Sequence, residues 1–244
     1  MRWGRAFVNE AGAEVLKAWR APEFLLPTML MPVAFFTLFA VVVPGSSDSP
    51  AYLLATFGVF AVMGPAIFGF GVAVANERER GWLDIKRASP ASGGLYIAAK
   101  LFATVFFGAL SLALIYGVAA FVAGVSLPTG TWFAMMLVHL AGSVPFALIG
   151  LTLGFLLSAN GAVAVSNIVF LALSALGGLW IPVFVFPIAM QRFATLLPSY
   201  HLSELALAIG VGGDRPSGLH AGVIAIMTAV LAALAAFAWK RQRG

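Results

Sequence analysis

Few side chains in the apolar part of this sequence could do chemistry. His139 is the one ionisable residue well inside a long apolar segment, and His201 and His220 lie in the connection before the last such segment. A single imidazole is not an active site, and the other two histidines lack the helical His/carboxylate spacing of a metal site. His139 is open to two interpretations, a structural hydrogen bond to a neighbouring helix or a place in a substrate route. The sequence predicts no catalytic residue and no metal site.

The groups that energise transport are also missing from the sequence. No G-x-x-x-x-G-K-[ST] loop occurs, so we expect no P-loop binding of ATP by this chain. Proton- and sodium-driven carriers keep buried carboxylates for the coupling ion, and the long apolar segments contain none. Ion-coupled transport is therefore the less favoured alternative, and active transport would draw its energy from a separate subunit.

One segment, Asn76–Lys100, concentrates charge. It reads NERERGWLDIKRASPASGGLYIAAK and holds eight of the 23 charged residues. Trp82, Leu83 and Ile85 add apolar contacts within this polar frame, which is the composition of a short helix that docks into a groove. A solvated loop is the alternative interpretation.

Composition identifies the elements that must position these residues. The chain is 61% hydrophobic and 9% charged, against about 25% charged in a soluble domain. Its 244 residues allow about six helical crossings of a bilayer, and the apolar runs lack the alternation of a membrane barrel. We predict an all-α membrane protein, a single domain over 1–244, with spans at Leu25–Val43, Tyr52–Ala75, Leu101–Gly124, Trp132–Leu157, Ala162–Ile181 and Leu219–Trp239.

Charge outside the spans orients them. Twelve of the fourteen Lys and Arg residues fall on one side if both termini are cytoplasmic, as the positive-inside rule and an even number of spans both require. The net charge of +5 indicates loops beside anionic lipid rather than a nucleic-acid partner. Residues 1–24 predict an amphipathic helix in the membrane interface, with Trp3 and Trp19 at headgroup level. An amphipathic helix packed on protein is the alternative, and the two interpretations are compatible.

Residues 182–218 do not fit a plain loop or a span. They are apolar but interrupted by Pro182, Pro187 and Pro198. We predict two short helices, Ile188–Leu197 and Ser199–Ile209, with Ser199 as the cap of the second. They form either a re-entrant segment near a pathway or subunit contact, or an outer cap that seals the domain.

The residue order after the second span resembles the ATP-binding-cassette type-2 permease family, the membrane subunits of bacterial exporters. The family pattern is Glu, a variable residue, Glu, a variable residue, Gly, Thr or a bulky residue, Leu and an acidic residue, followed after four or five residues by Ser/Thr-Pro. Trp82 stands where Thr is commoner. The residues of this sequence that match are Glu77, Glu79, Gly81, Trp82, Leu83, Asp84, Ser89 and Pro90.

The resemblance implies a mechanism. Two permease chains, identical or different, would assemble with two cytoplasmic ATPase subunits, which hold the ATP and Mg that this chain does not bind. Residues 81–90 would be the coupling helix, Glu77 and Glu79 would pair with basic residues near the ATPase, and Trp82 and Leu83 would supply docking energy. The expected location is the bacterial cytoplasmic membrane, with membrane lipid as a further partner.

The substrate is less defined. Phe35, Phe39, His139 and Trp180 would line a route for an amphipathic, drug-like, lipid-linked or peptide substrate if they face it, while lipid-facing aromatics are the common alternative. Small residues repeat every four positions at Gly150, Gly154 and Ser158. This spacing lets helices approach closely and marks a dimer seam, unless it is a coincidence in a chain rich in glycine and alanine.

Overall fold

The computed structural model describes residues 2–43, 50–88, 93–213 and 215–241, and these residues form helices with no strand among them. A π-helical turn, Leu38–Val42, continues the second helix, and a 3-10 turn, Val183–Val185, precedes the ninth. The helices are α1 (Arg2–Trp19), α2 (Pro22–Thr37), α3 (Pro50–Glu79), α4 (Trp82–Ala88), α5 (Gly93–Phe121), α6 (Thr129–Ala141), α7 (Val144–Leu156), α8 (Ala159–Leu176), α9 (Ile188–Ala194), α10 (Pro198–Gly210) and α11 (Ser217–Arg241).

The predicted spans correspond to these helices. Among the described residues, five stretches are long and apolar enough to cross a membrane, namely α3, α5, α6 with α7, α8 and α11. The first predicted span is a shorter apolar helix, Leu26–Val42. The fourth breaks at Gly142 and Ser143, just before Pro145, which has no N–H to bond the preceding turn. The fold class, an all-α membrane protein, is confirmed.

Helix α3 is the centre of the bundle. Of its apolar stretch, 83% is buried, against 11% for α11, because α2, α5, α7, α8 and α10 all pack on it. A Cβ at Gly150 would lie 2.4 Å from the Ile67 carbonyl oxygen, and one at Gly154 would lie 2.8 Å from the Gly71 carbonyl oxygen. The small residues of α7 therefore bring it against α3 within one chain.

Helix α1 packs on α5, with Ala11 buried and both Trp3 and Trp19 exposed. This arrangement agrees with both interpretations of residues 1–24, a helix in the membrane interface and an amphipathic helix packed on protein.

The two short helices of residues 182–218 are present as α9 and α10. The predicted cap was wrong, because Pro198 takes the first helical position and makes Leu197 the N-cap residue. The Ser199 hydroxyl instead donates to the Leu173 carbonyl at 2.7 Å.

Candidate coupling site at the end of α3

Helix α4 turns away from the end of α3 at Gly81. The φ of Gly81 is +72°, a left-handed conformation that glycine adopts without a Cβ clash. In the helix that follows, Trp82 and Ile85 are 53% and 66% exposed, whereas Leu83 is 3% exposed and belongs to the core. Of the two residues predicted to supply docking energy, Leu83 is therefore placed to fix α4 to the bundle, and the apolar side chains that α4 leaves exposed are Trp82 and Ile85.

The remaining residues of the family pattern lie on both sides of Gly81. Asp84 is exposed on α4, and Ser89 and Pro90 lie outside the described residues. Glu77 and Glu79 lie within α3, which continues past the predicted span end at Ala75.

Glu77 belongs to a charge cluster, which consists of Glu14, Lys17, Glu77 and Lys100. The Lys100 ammonium donates to Glu14 at 2.8 Å and to Glu77 at 3.1 Å. Lys17 donates to Glu14 at 2.7 Å and also to Glu77. The Tyr96 hydroxyl donates to the second Glu77 oxygen. Because these residues come from α1, α3 and α5, the cluster joins all three helices at one end of the bundle.

Burial makes the cluster more than a surface ion pair. Lys100 and Glu14 are 3% and 6% exposed, and a buried charge is tolerated when it is paired and hydrogen-bonded. Burial opposes ionisation of the Glu14 carboxyl, but Lys100 and Lys17 outweigh this effect and lower the pKa of Glu14 to about 2. Burial also opposes the charging of Lys17, yet Glu77 and Glu14 raise the pKa of Lys17. The cluster therefore holds two carboxylates and two ammonium groups at neutral pH.

Arg78 and Glu79 hold the turn between α7 and α8. The Arg78 guanidinium donates to the carbonyls of Phe155 and Leu157 at the end of α7. The Glu79 carboxylate accepts from the backbone N–H of Ala159, the first residue of α8, at 2.8 Å. A cation at a helix C-terminus and an anion at a helix N-terminus both interact favourably with the helix dipole. Both predicted ATPase-facing carboxylates are thus engaged within the chain.

Sequence reasoning missed the partners Glu14, Lys17, Tyr96 and Lys100. One signal was available, since Lys100 directly precedes a long apolar run, and an ammonium group at that position needs an anionic partner. Nothing in the sequence identified that partner, which lies 86 residues away in Glu14.

Three of the predicted route residues come together in an aromatic cluster, formed by Phe35, Phe39, Phe60 and Trp180. The Phe35 ring stacks on Trp180 at 5.8 Å between centroids, and Phe60 meets Trp180 edge-on at 5.6 Å. Phe39 lies 6.4 Å from Phe35. The buried Trp180 indole N–H has no hydrogen-bond partner in the described part of the chain.

His139 has a different environment. Its ring is fully buried, with Nε2 2.9 Å from the Ala55 carbonyl oxygen and Nδ1 3.1 Å from the Tyr116 hydroxyl. Because the carbonyl only accepts, Nε2 carries the proton and Nδ1 accepts from Tyr116. Gly58 provides the space, since a Cβ there would lie 2.3 Å from the ring. Both nitrogens are satisfied by neighbouring helices, the arrangement of a structural histidine.

Two comparisons with known proteins place this geometry in context. Residues 11–210 match the family model described as ABC-2 type transporter. The chain is also 31% identical over 206 residues to the protein named "Putative transport permease YvfS" of Bacillus subtilis (strain 168). The matched region covers 83% of this chain and 84% of that protein.

Proposed function

Because the chain belongs to the ABC-2 type transporter family, and is therefore a transport permease rather than an enzyme, we propose that it is the membrane subunit of an ATP-driven exporter. It pairs with a second permease chain, and two cytoplasmic ATPase subunits bind ATP and Mg and drive the pair. It moves an amphipathic, drug-like, lipid-linked or peptide substrate outward across the bacterial cytoplasmic membrane.

The observation that carries this proposal is the exposed apolar surface of α4 at the end of the most buried helix. Trp82 and Ile85 project from the bundle, and aromatic and aliphatic side chains of this kind dominate the energy of protein interfaces. A partner that binds them acts on α3 through the short connection at Gly81. This is the arrangement needed for a cytoplasmic ATPase to move the membrane-spanning helices.

The contacts around α3 favour transmission of that force. Glu77 fastens α3 to α1 and α5 through the charge cluster, and Arg78 and Glu79 fasten it to the turn between α7 and α8. A displacement of α4 therefore moves the ends of several helices together. The interfacial helix α1 is included in this unit.

The packing at the α4 end of the molecule supports the orientation that we propose for the chain in the membrane. The start of α5 and the ends of α7 and α11 meet there, since Trp239 lies 5.0 Å from Phe155 between ring centroids and near Gly93. The C-terminal basic residues thus share an end with α4 and the charge cluster. With the positive-inside rule, this supports a cytoplasmic position for both termini and for α4.

The aromatic cluster supports an amphipathic substrate. Aromatic rings attract apolar and cationic groups, and the buried Trp180 N–H offers a donor to a substrate oxygen. We place Phe35, Phe39 and Trp180 at the route on this basis, and His139 beside it as a positioning residue between α3, α5 and α6.

Substitution on α4 tests the ATPase coupling. Trp82→Ala should weaken binding of the ATPase that copurifies with the wild-type chain by about 30- to 1,000-fold, as expected for loss of a hot spot worth about 2–4 kcal/mol. The measurement is a binding titration of the purified permease in lipid nanodiscs. Trp3→Ala, an equally exposed tryptophan on α1, is the matched control and should change binding less than threefold.

Leu83→Ala separates docking from folding. Because Leu83 is buried in the chain, this variant should lower thermal stability, whereas Trp82→Ala should not. If no ATPase copurifies and an ion gradient still drives cargo transport by the Trp82→Ala chain, the alternative function of an ion-coupled secondary transporter replaces the proposal.

A further inference from the structure

Two histidines connect α10 to α11 at the end of the bundle opposite α4. His201 on α10 and His220 on α11 are both buried, and their Nδ1 atoms lie 2.8 Å apart. Tyr52, in the first turn of α3, lies within electrostatic range of Glu204 and Tyr200 on α10, so this pair sits at the start of α3 and not at its Glu77 end. The function proposed above does not use this pair.

Hydrogen-bond donors and acceptors fix the protons of the pair. His201 Nε2 lies 2.8 Å from the Thr195 carbonyl oxygen, which only accepts, so His201 carries a proton on Nε2. A neutral His201 then has a bare Nδ1, and this nitrogen accepts from the Nδ1–H of His220. A first added proton goes to His220 Nε2 and leaves the bond between the rings intact. A second added proton must go to His201 Nδ1, where it places two N–H donors face to face.

The surroundings do not compensate a second charge. The charged groups that face the pair within the described residues are Glu204 and Arg215, and these already form an ion pair with each other. Tyr200 adds a neutral ring, 5.2 Å from His201 and 5.8 Å from His220 between centroids. A cavity of about 570 Å³ borders the two histidines and gives protons from the adjacent solution a path to them.

We propose that the His201–His220 pair is an acid-operated latch between α10 and α11. With no added proton or one, the shared hydrogen bond holds the start of α11 against α10. With two, repulsion between the imidazolium rings opens this contact and loosens the end of the bundle opposite α4. Because the second proton must enter beside a ring that is already charged, the latch opens below the pH near 6.5 at which an isolated histidine titrates. With the orientation proposed above, it responds to acidification of the compartment outside the cytoplasm.

A distance measurement tests the latch in the full chain. The sequence contains no cysteine, so spin labels can be attached at Leu196→Cys, before α10, and at Ile226→Cys on α11, both of which are exposed. In lipid nanodiscs we expect one short distance from pH 8 to pH 6.5 and a longer or broader distribution by pH 4.5. His220→Gln is the matched variant, because its amide can donate or accept toward His201 but takes up no proton. It should keep the short distance at every pH.

Nitrogen-15 labelling of the histidines supplies the second measurement, which is tractable because the chain has three. The signals of His201 and His220 should shift together in two steps separated by more than about one pH unit, the mark of a coupled pair. A wild-type distance that is constant down to pH 4.5 overturns the proposal. So does an equal acid-induced widening in His220→Gln, or independent one-step titration of the two rings.

Discussion

Lys100 should be the residue on which the attachment of α1 depends most. It is buried between Glu14 and Glu77 and is the shared partner of both. In Lys100→Met the cluster keeps two carboxylates but has one cation left, Lys17. Removal of one member of a buried ion pair costs about 3–5 kcal/mol because a charge is left uncompensated. Since Lys17 still reaches both carboxylates, we expect the lower end, about 3 kcal/mol, which corresponds to about a 100-fold increase in the undocked population of α1.

Cysteine accessibility measures that population. Ala11 lies on the buried face of α1, so a cysteine placed there reacts with a maleimide only when α1 undocks. Its labelling rate should rise about 100-fold in Lys100→Met. The compensated variant Glu14→Gln with Lys100→Met removes one charge of each sign and leaves the Lys17–Glu77 pair, so it should label within about fivefold of the parent. Equal labelling of Lys100→Met and the parent, or faster labelling of the compensated variant than of Lys100→Met, would refute the role given to the cluster.

Four further predictions concern the protonation of the charge cluster, the packing around Gly58, the role of His139 and the orientation of the chain. Because the pKa of Glu14 is lowered from 4.5 to about 2, the docking of α1 should be fully stable above pH 4.5 and be lost as the pH falls toward 2. The mobility of a spin label at Ala11→Cys should report this, and Glu14→Gln should weaken the dependence but not abolish it, because Lys100 and Lys17 also lower the pKa of Glu77 despite its burial. Gly58→Ala should displace the His139 ring and lower thermal stability, whereas Gly108→Ala, whose Cβ meets nothing closer than 3.7 Å, should not. His139→Gln should retain transport. Loss of transport in a normally assembled His139→Gln complex would place His139 in the substrate route. A cysteine at Ser47 should react with an impermeant reagent from outside intact cells, and labelling only after membrane disruption would reverse the topology.

The spans and the α9–α10 segment were predictable because their signals are local. Continuous apolar runs determine where a helix crosses a membrane, and the prolines at 187 and 198 determine where α9 and α10 begin. The N-cap of α10 was the exception, since Pro198 shifted the cap by two positions from Ser199 to Leu197.

The candidate coupling site was only half predictable, because its other half is made by distant residues. The charged stretch at Glu77 lies at the end of α3, but the direction of each carboxylate depends on helices that pack there from elsewhere in the chain. Lys17 lies 60 residues before Glu77, and a single sequence does not reveal that pairing. The burial of Leu83 and the exposure of Ile85 could not be predicted for a related reason, since α4 has seven residues and is too short to show a periodic apolar face.

The separation of Glu14 from Lys100 also sets an order of events during synthesis. The two residues are 86 positions apart, and ribosomes add about 5–20 residues per second. For about 4–17 s after Glu14 is made, Lys17 is its only cationic partner of the cluster, because Lys100 does not yet exist. An amphipathic helix can rest in a membrane interface during such an interval. We expect this early contact with lipid headgroups to keep α1 near the place where α5 later packs on it.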